Sequence, residues 1–76
     1  MNIERTALPG IGVRHIFTTR EGRRIGIIEY QVGDRRDVVH DDPTDPDRMV
    51  ALTLTRSEAT ALAALLGFPE VVAVPA

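Results

Sequence analysis

There is no cysteine in this chain, so neither a disulfide staple nor a thiolate metal site is available to it, which suits a reducing compartment. Lysine is absent as well, and with it the residue that a P-loop extends to its phosphates. Tryptophan is missing and Phe17, Tyr30 and Phe68 are the whole aromatic complement, too few to interleave with the bases of a single strand. No apolar run approaches the ~20 residues of a membrane helix, and the N-terminus has no apolar signal core. Action at a membrane would therefore require binding something embedded there.

What the chain does have is nine arginines set against eleven acids, for a formal charge of −2, so no global basic field draws it to nucleic acid or anionic lipid. With 43% apolar residues in a length of 76, it makes one small domain, 1–76. A chain of that size buries only about 60% of the surface its unfolded form exposes. Such a domain is marginal alone, and docking to a partner or to a second domain follows as an expectation.

Turn chemistry punctuates the chain. In "ALPGIG", Pro9 suits the first central position of a type II turn and Gly10 the positive φ of the second. "NIERTAL" before it and "VRHIFTTR" after it read as strands, the latter with Val13, His15 and Phe17 on one face. Glu21-Gly22 supplies a tight connection to "RRIGIIEYQV", apolar on both faces, and Gly33-Asp34 a second hairpin leading to "RDVVHD". "DDPTDPDR" reads as a loop of about eight residues, because Pro43 and Pro46 lack amide protons. "MVALTL" is the next strand. Thr55 and Glu58 then stand at capping-box spacing ahead of an apolar stripe of Ala59, Leu62, Ala63 and Leu66, and Gly67 closes the helix. Phe68 is placed to fold back over that stripe, and "EVVAV", Glu70 to Val74, reads as a last short strand. The expected fold is α+β: a small curled antiparallel β-sheet or partly open barrel of five to six short strands, with one helix over about 56–66 covering a face.

Few constellations carry chemistry. "PGIG" is no phosphate cradle, since a strand follows where a helix is needed. Asp41, Asp42, Asp45 and Asp47 could offer oxygens to calcium, but counted from Asp41 the EF-hand's glycine is Pro46 and its glutamate is Leu52. His40 beside Asp41 and Asp42 is the one histidine placed to gain a carboxylate partner. Neither His15 nor His40 can be tied to Ser57, and the aspartates have nothing to split their pKa values, so no catalytic, cofactor or metal residues are assigned. The best polar set is arginine: Arg20, Arg23 and Arg24 flank one hairpin turn, Arg35 and Arg36 the other, at opposite ends of the meander. Pairing with the chain's own acids is the simpler fate for them, and phosphate or carboxylate recognition the sharper one.

The ordered set "LPGIGVRHIFTTREGRRIGIIEY", "GDRRDVVHDDPTDPDR" and "LTLTRSEATALAALLG" resembles the N-terminal domain of the soluble regulatory subunits of bacterial potassium/proton antiporters of the KhtT type. Residues Leu8 to Gly12, the aromatic Phe17, Thr19 to Gly22, Gly33 to Asp37 with an extra Asp34, Asp45 to Asp47, and Leu54 to Gly67 carry that likeness over Ile3 to Gly67. It implies a non-catalytic cytoplasmic regulatory or interaction domain, peripheral to the inner membrane through its transporter. In the family a C-terminal ligand-sensing domain, similar to that of potassium-channel regulators (TrkA-C-like), follows, and it is missing from this chain. The contacts implied are with an integral-membrane cation/proton antiporter, with that ligand-sensing domain, or with a second copy as a homodimer. Arg20, Arg23, Arg24, Arg35, Arg36, His40, Asp41, Asp42, Asp45 and Asp47 are the expected polar contact surface. A small nucleic-acid or nucleotide-binding β-domain using the hairpin arginines is the alternative.

Overall fold

Glycine and proline set where the strands turn. In the computed structural model, which describes residues 2–67, strands β1 (Glu4–Leu8), β2 (Gly12–Thr18), β3 (Arg24–Tyr30), β4 (Arg36–Asp42) and β5 (Asp45–Leu54) precede helix α1 (Arg56–Leu65). Each strand pairs antiparallel with the next, giving one open sheet in chain order. The α+β class is as expected, and the sheet is open rather than closed toward a barrel. Phe68 and the strand expected at Glu70 to Val74 lie outside the described residues. No helix among the described residues is long and apolar enough to cross a membrane.

The first turn follows its residues. Ile11 N donates to Leu8 O at 2.9 Å, and Gly10 sits at a φ of 75°, the left-handed region that glycine enters freely. Gly12 serves a different purpose, since a Cβ there would collide with the backbone carbonyl of Glu29 on the adjacent strand.

Two expectations need correction. The loop expected over Asp41 to Arg48 is a tight hairpin: Asp42 pairs with Asp45, a register shift falls between Asp41 and Asp42, and Pro46 lies inside β5. Proline breaks a ladder only where its amide is needed, and among the described residues β5 is the sheet's outermost strand, where a missing donor is tolerated. The helix, in turn, leaves the sheet faces uncovered. Its capping box forms as read, with Glu58 N donating to Thr55 Oγ1 at 3.2 Å and Thr55 N to Glu58 Oε1 at 2.8 Å. Yet α1 packs mainly against β5 and buries none of its own residues. Leu65 and Leu66 stay 85% and 67% exposed. Thr55 alone separates β5 from α1, and Arg56 N donates to Asp34 Oδ1 in the β3–β4 turn at 3.1 Å, so the short link and this tether hold the helix beside the edge strand.

The registers sort side chains onto two faces. Val13, Phe17, Ile25, Ile27, Val38 and Leu52 share one, the apolar face, although His15, Glu29, Arg36 and His40 also lie on it. Arg14, Ile16, Arg24, Gly26, Asp37, Val39 and Met49 share the other. Among the described residues no apolar side chain is fully buried; only Gly26 and Asp37 are. Open on both faces among the described residues, the sheet leaves its apolar residues half-wet.

Candidate functional site

The polar groups of the sheet gather at three places. The best ordered is Asp37 on β4, which is 5% exposed and is the buried charge of the described residues. Arg35 donates to it twice, Nε to Oδ1 at 3.0 Å and Nη2 to Oδ2 at 2.9 Å. Tyr30 OH donates to Oδ2 at 2.9 Å, and Thr53 Oγ1 to Oδ1 at 2.9 Å. The register explains the gathering, because Asp37 pairs with Ile28 on β3 and with Thr53 on β5. Arg35 also lies 4.4 Å over the Tyr30 ring, a cation–π geometry. The Arg35 guanidinium, with help from Thr53 and Tyr30, holds the Asp37 carboxyl below its ordinary pKa, against the opposing effect of burial. The same hydrogen bond to Asp37 raises the Tyr30 phenol.

A second cluster closes the other end of β4. Arg23 Nε donates to Asp41 Oδ1 at 3.0 Å and its Nη2 to Asp41 O at 3.0 Å, and this guanidinium lowers the Asp41 pKa. His40 does not take a carboxylate partner: its Nδ1 meets the same Asp41 carbonyl at 2.9 Å, so that nitrogen carries the proton. Asp42 accepts from Thr44 N and Thr44 Oγ1 at 2.9 and 2.7 Å, which lowers its pKa. Arg48 Nε approaches Asp42 Oδ2 to 4.0 Å, and Asp45 Oδ1 caps Asp47 N at 3.1 Å. Asp41 is thus held by Arg23, and Asp42 and Asp45 by local turns, and among the described residues no three acids or histidines converge as a metal ion requires.

The third cluster surrounds Arg36, whose guanidinium lies 3.7 Å from Glu29 and 3.6 Å from Asp34. Of the expected contact residues, Arg23, Arg35 and Arg36 are therefore held by the chain's own acids, whereas Arg20 and Arg24 form no ion pair among the described residues. The two hairpin turns fall at opposite ends of β3, and no continuous arginine groove joins them. That arrangement lends no support to a phosphate track for nucleic acid.

Asp37, with Tyr30 and Thr53, was not singled out from sequence as a site. One signal is there: Asp37 stands two residues after Arg35 and on the same strand face as Val39.

The family described as "K(+)/H(+) antiporter subunit KhtT, N-terminal domain" matches residues 1–70. The K(+)/H(+) antiporter subunit KhtT of Bacillus subtilis (strain 168) is 38% identical over 68 residues, covering 88% of this chain and 41% of that protein. The chain thus spans about two fifths of the length of this curated relative.

Proposed function

We propose that this chain, which belongs to the K(+)/H(+) antiporter subunit KhtT N-terminal domain family, is a non-catalytic regulatory and docking module of a potassium or other monovalent cation/proton antiporter system. It works at the cytoplasmic side of the membrane. The observation that carries the docking reading is the sheet itself: Val13, Phe17, Ile25, Ile27, Val38 and Leu52 share a face that no element of the described residues covers. The transporter partner rests on the family.

A ligand or ionic condition read elsewhere shifts an equilibrium between two arrangements, and this domain passes the shift on through contacts that differ between them. Arg20 in the β2–β3 turn and Asp45 and Asp47 on the outer strand serve as polar contacts at the edge of the sheet. A C-terminal ligand-sensing domain and a second copy are the further partners of this reading.

The test is co-expression of the tagged chain with a many-helix potassium/proton exchanger from the same genome. Recovery of the exchanger in the detergent-solubilised eluate is expected. An eluate free of exchanger, with the chain itself folded by circular dichroism, overturns the reading.

A further inference from the structure

On the face opposite the apolar one, Arg14 of β2 and Arg24 of β3 stand on either side of the Ile16–Gly26 pair. Together with Ile16, Gly26, Val39 and Met49 they line a groove of about 390 Å³. A methyl group at position 26 would meet Val39 Cγ2 at 2.8 Å, so glycine lets Ile16 and Val39 close down into an apolar floor. The two guanidiniums differ from their neighbours in having no acid beside them among the described residues. Arg23, Arg35, Arg36 and Arg48 each have an acid within 4.0 Å, and neither Arg14 nor Arg24 has one among the described residues. The Arg14 Nε is covered from solvent and meets no acceptor, an unfavourable state for a cationic donor that an incoming anion would relieve at the same guanidinium.

The surroundings choose the anion. Phosphate sites draw on backbone amides, at helix N-termini or in nests, and on this face the amides of β2, β3 and β4 are committed to the ladders. Guanidinium forks are the donors left, and a fork donates to the two oxygens of a carboxylate side by side. Aliphatic walls suit the methylenes of an acidic side chain and apolar residues beside it. We propose that this groove receives a glutamate or aspartate side chain from a partner segment whose flanking residues are apolar. The inference rests on the docking-module reading and adds the chemistry of what docks.

The ¹⁵N-labelled chain is titrated with acetyl-Leu-Glu-Leu-amide, with its glutamine counterpart and with inorganic phosphate, following amide shifts by NMR. The glutamate peptide is expected to move the Ile16, Gly26 and Val39 resonances, the glutamine peptide to bind at least tenfold more weakly, and phosphate to leave them unmoved. Arg24→Gln, at an exposed position, should weaken the glutamate peptide at least tenfold with the rest of the spectrum unchanged. Equal binding of the two peptides, indifference to Arg24→Gln, phosphate binding more tightly at these residues, or no shift with any probe overturns the proposal. Should the chain still co-purify with the exchanger in that event, only this inference falls and the docking reading stands.

Discussion

Gly12→Ala is expected to destabilise the domain by about 3 kcal/mol, measured by urea unfolding followed by far-ultraviolet circular dichroism. The reason is steric. Gly12 opens β2 where it pairs with Leu8 of β1 and Tyr30 of β3, and a Cβ would occupy the place of the Glu29 carbonyl oxygen. That oxygen belongs to a neighbouring backbone, so relief requires moving a strand rather than turning a rotamer. Gly10→Ala, two residues earlier, is the control: its Cβ would meet nothing within 4 Å, but its φ is 75°. The left-handed conformation alone costs a residue with a Cβ about 1 to 2 kcal/mol. If the two variants unfold at the same urea concentration, the close approach of β2 and β3 at Gly12 is refuted.

The second large effect falls on Asp37. Removing the carboxylate in Asp37→Ala strips four hydrogen bonds at once and leaves the partly covered Tyr30 and Thr53 hydroxyls without their acceptor. The expected loss is about 2 kcal/mol, short of the full penalty for breaking a buried pair because the Arg35 side chain is 51% exposed and finds water instead. The pH dependence has a definite sign. The folded-state pKa of Asp37 is depressed below the ordinary 3.8, so its contribution is complete above that value and is lost as pH falls below it toward the folded-state pKa. Asp41 and Asp42, also depressed, act in the same window. Stability measured between pH 5 and pH 2 should therefore fall less steeply in Asp37→Asn than in the parent chain. Parallel curves would show that the Arg35–Asp37 pair contributes nothing to acid sensitivity.

The parts of this structure that were legible in the sequence are those governed by neighbours along the chain. Pro9-Gly10 makes the turn its dihedral preferences require, and Thr55 with Glu58 forms both bonds of its capping box. The extent of β5 was hidden because Pro46 reads as a breaker until its strand is known to be outermost, and strand order is a property of the whole sheet. The position of α1 was hidden for a related cause. An apolar stripe of Leu62, Ala63 and Leu66 says that a face wants covering, but not that a link of one residue, Thr55, will hold the helix beside the sheet's edge. The arginines divide along the same line. Arg35 and Asp37 are two residues apart, and their pairing is local, whereas Arg23 finds Asp41 only because β3 lies between β2 and β4. That Arg14 and Arg24 have no acid within 4.0 Å among the described residues emerges only once the strands are paired.

The proposed docking rests on the half-wet residues of the apolar face, which no element of the described residues covers. The most direct measurement is hydroxyl-radical footprinting of the chain, alone and bound to the co-purified exchanger. Leu52, 55% exposed on that face, reports docking, and Val32, 79% exposed in the β3–β4 turn, reports open solvent. Protection of Leu52, Ile25 and Phe17 by at least fivefold in the complex, with Val32 unchanged, is the expected result. Equal reactivity of Leu52 in the free and bound chain would contradict docking through the open sheet.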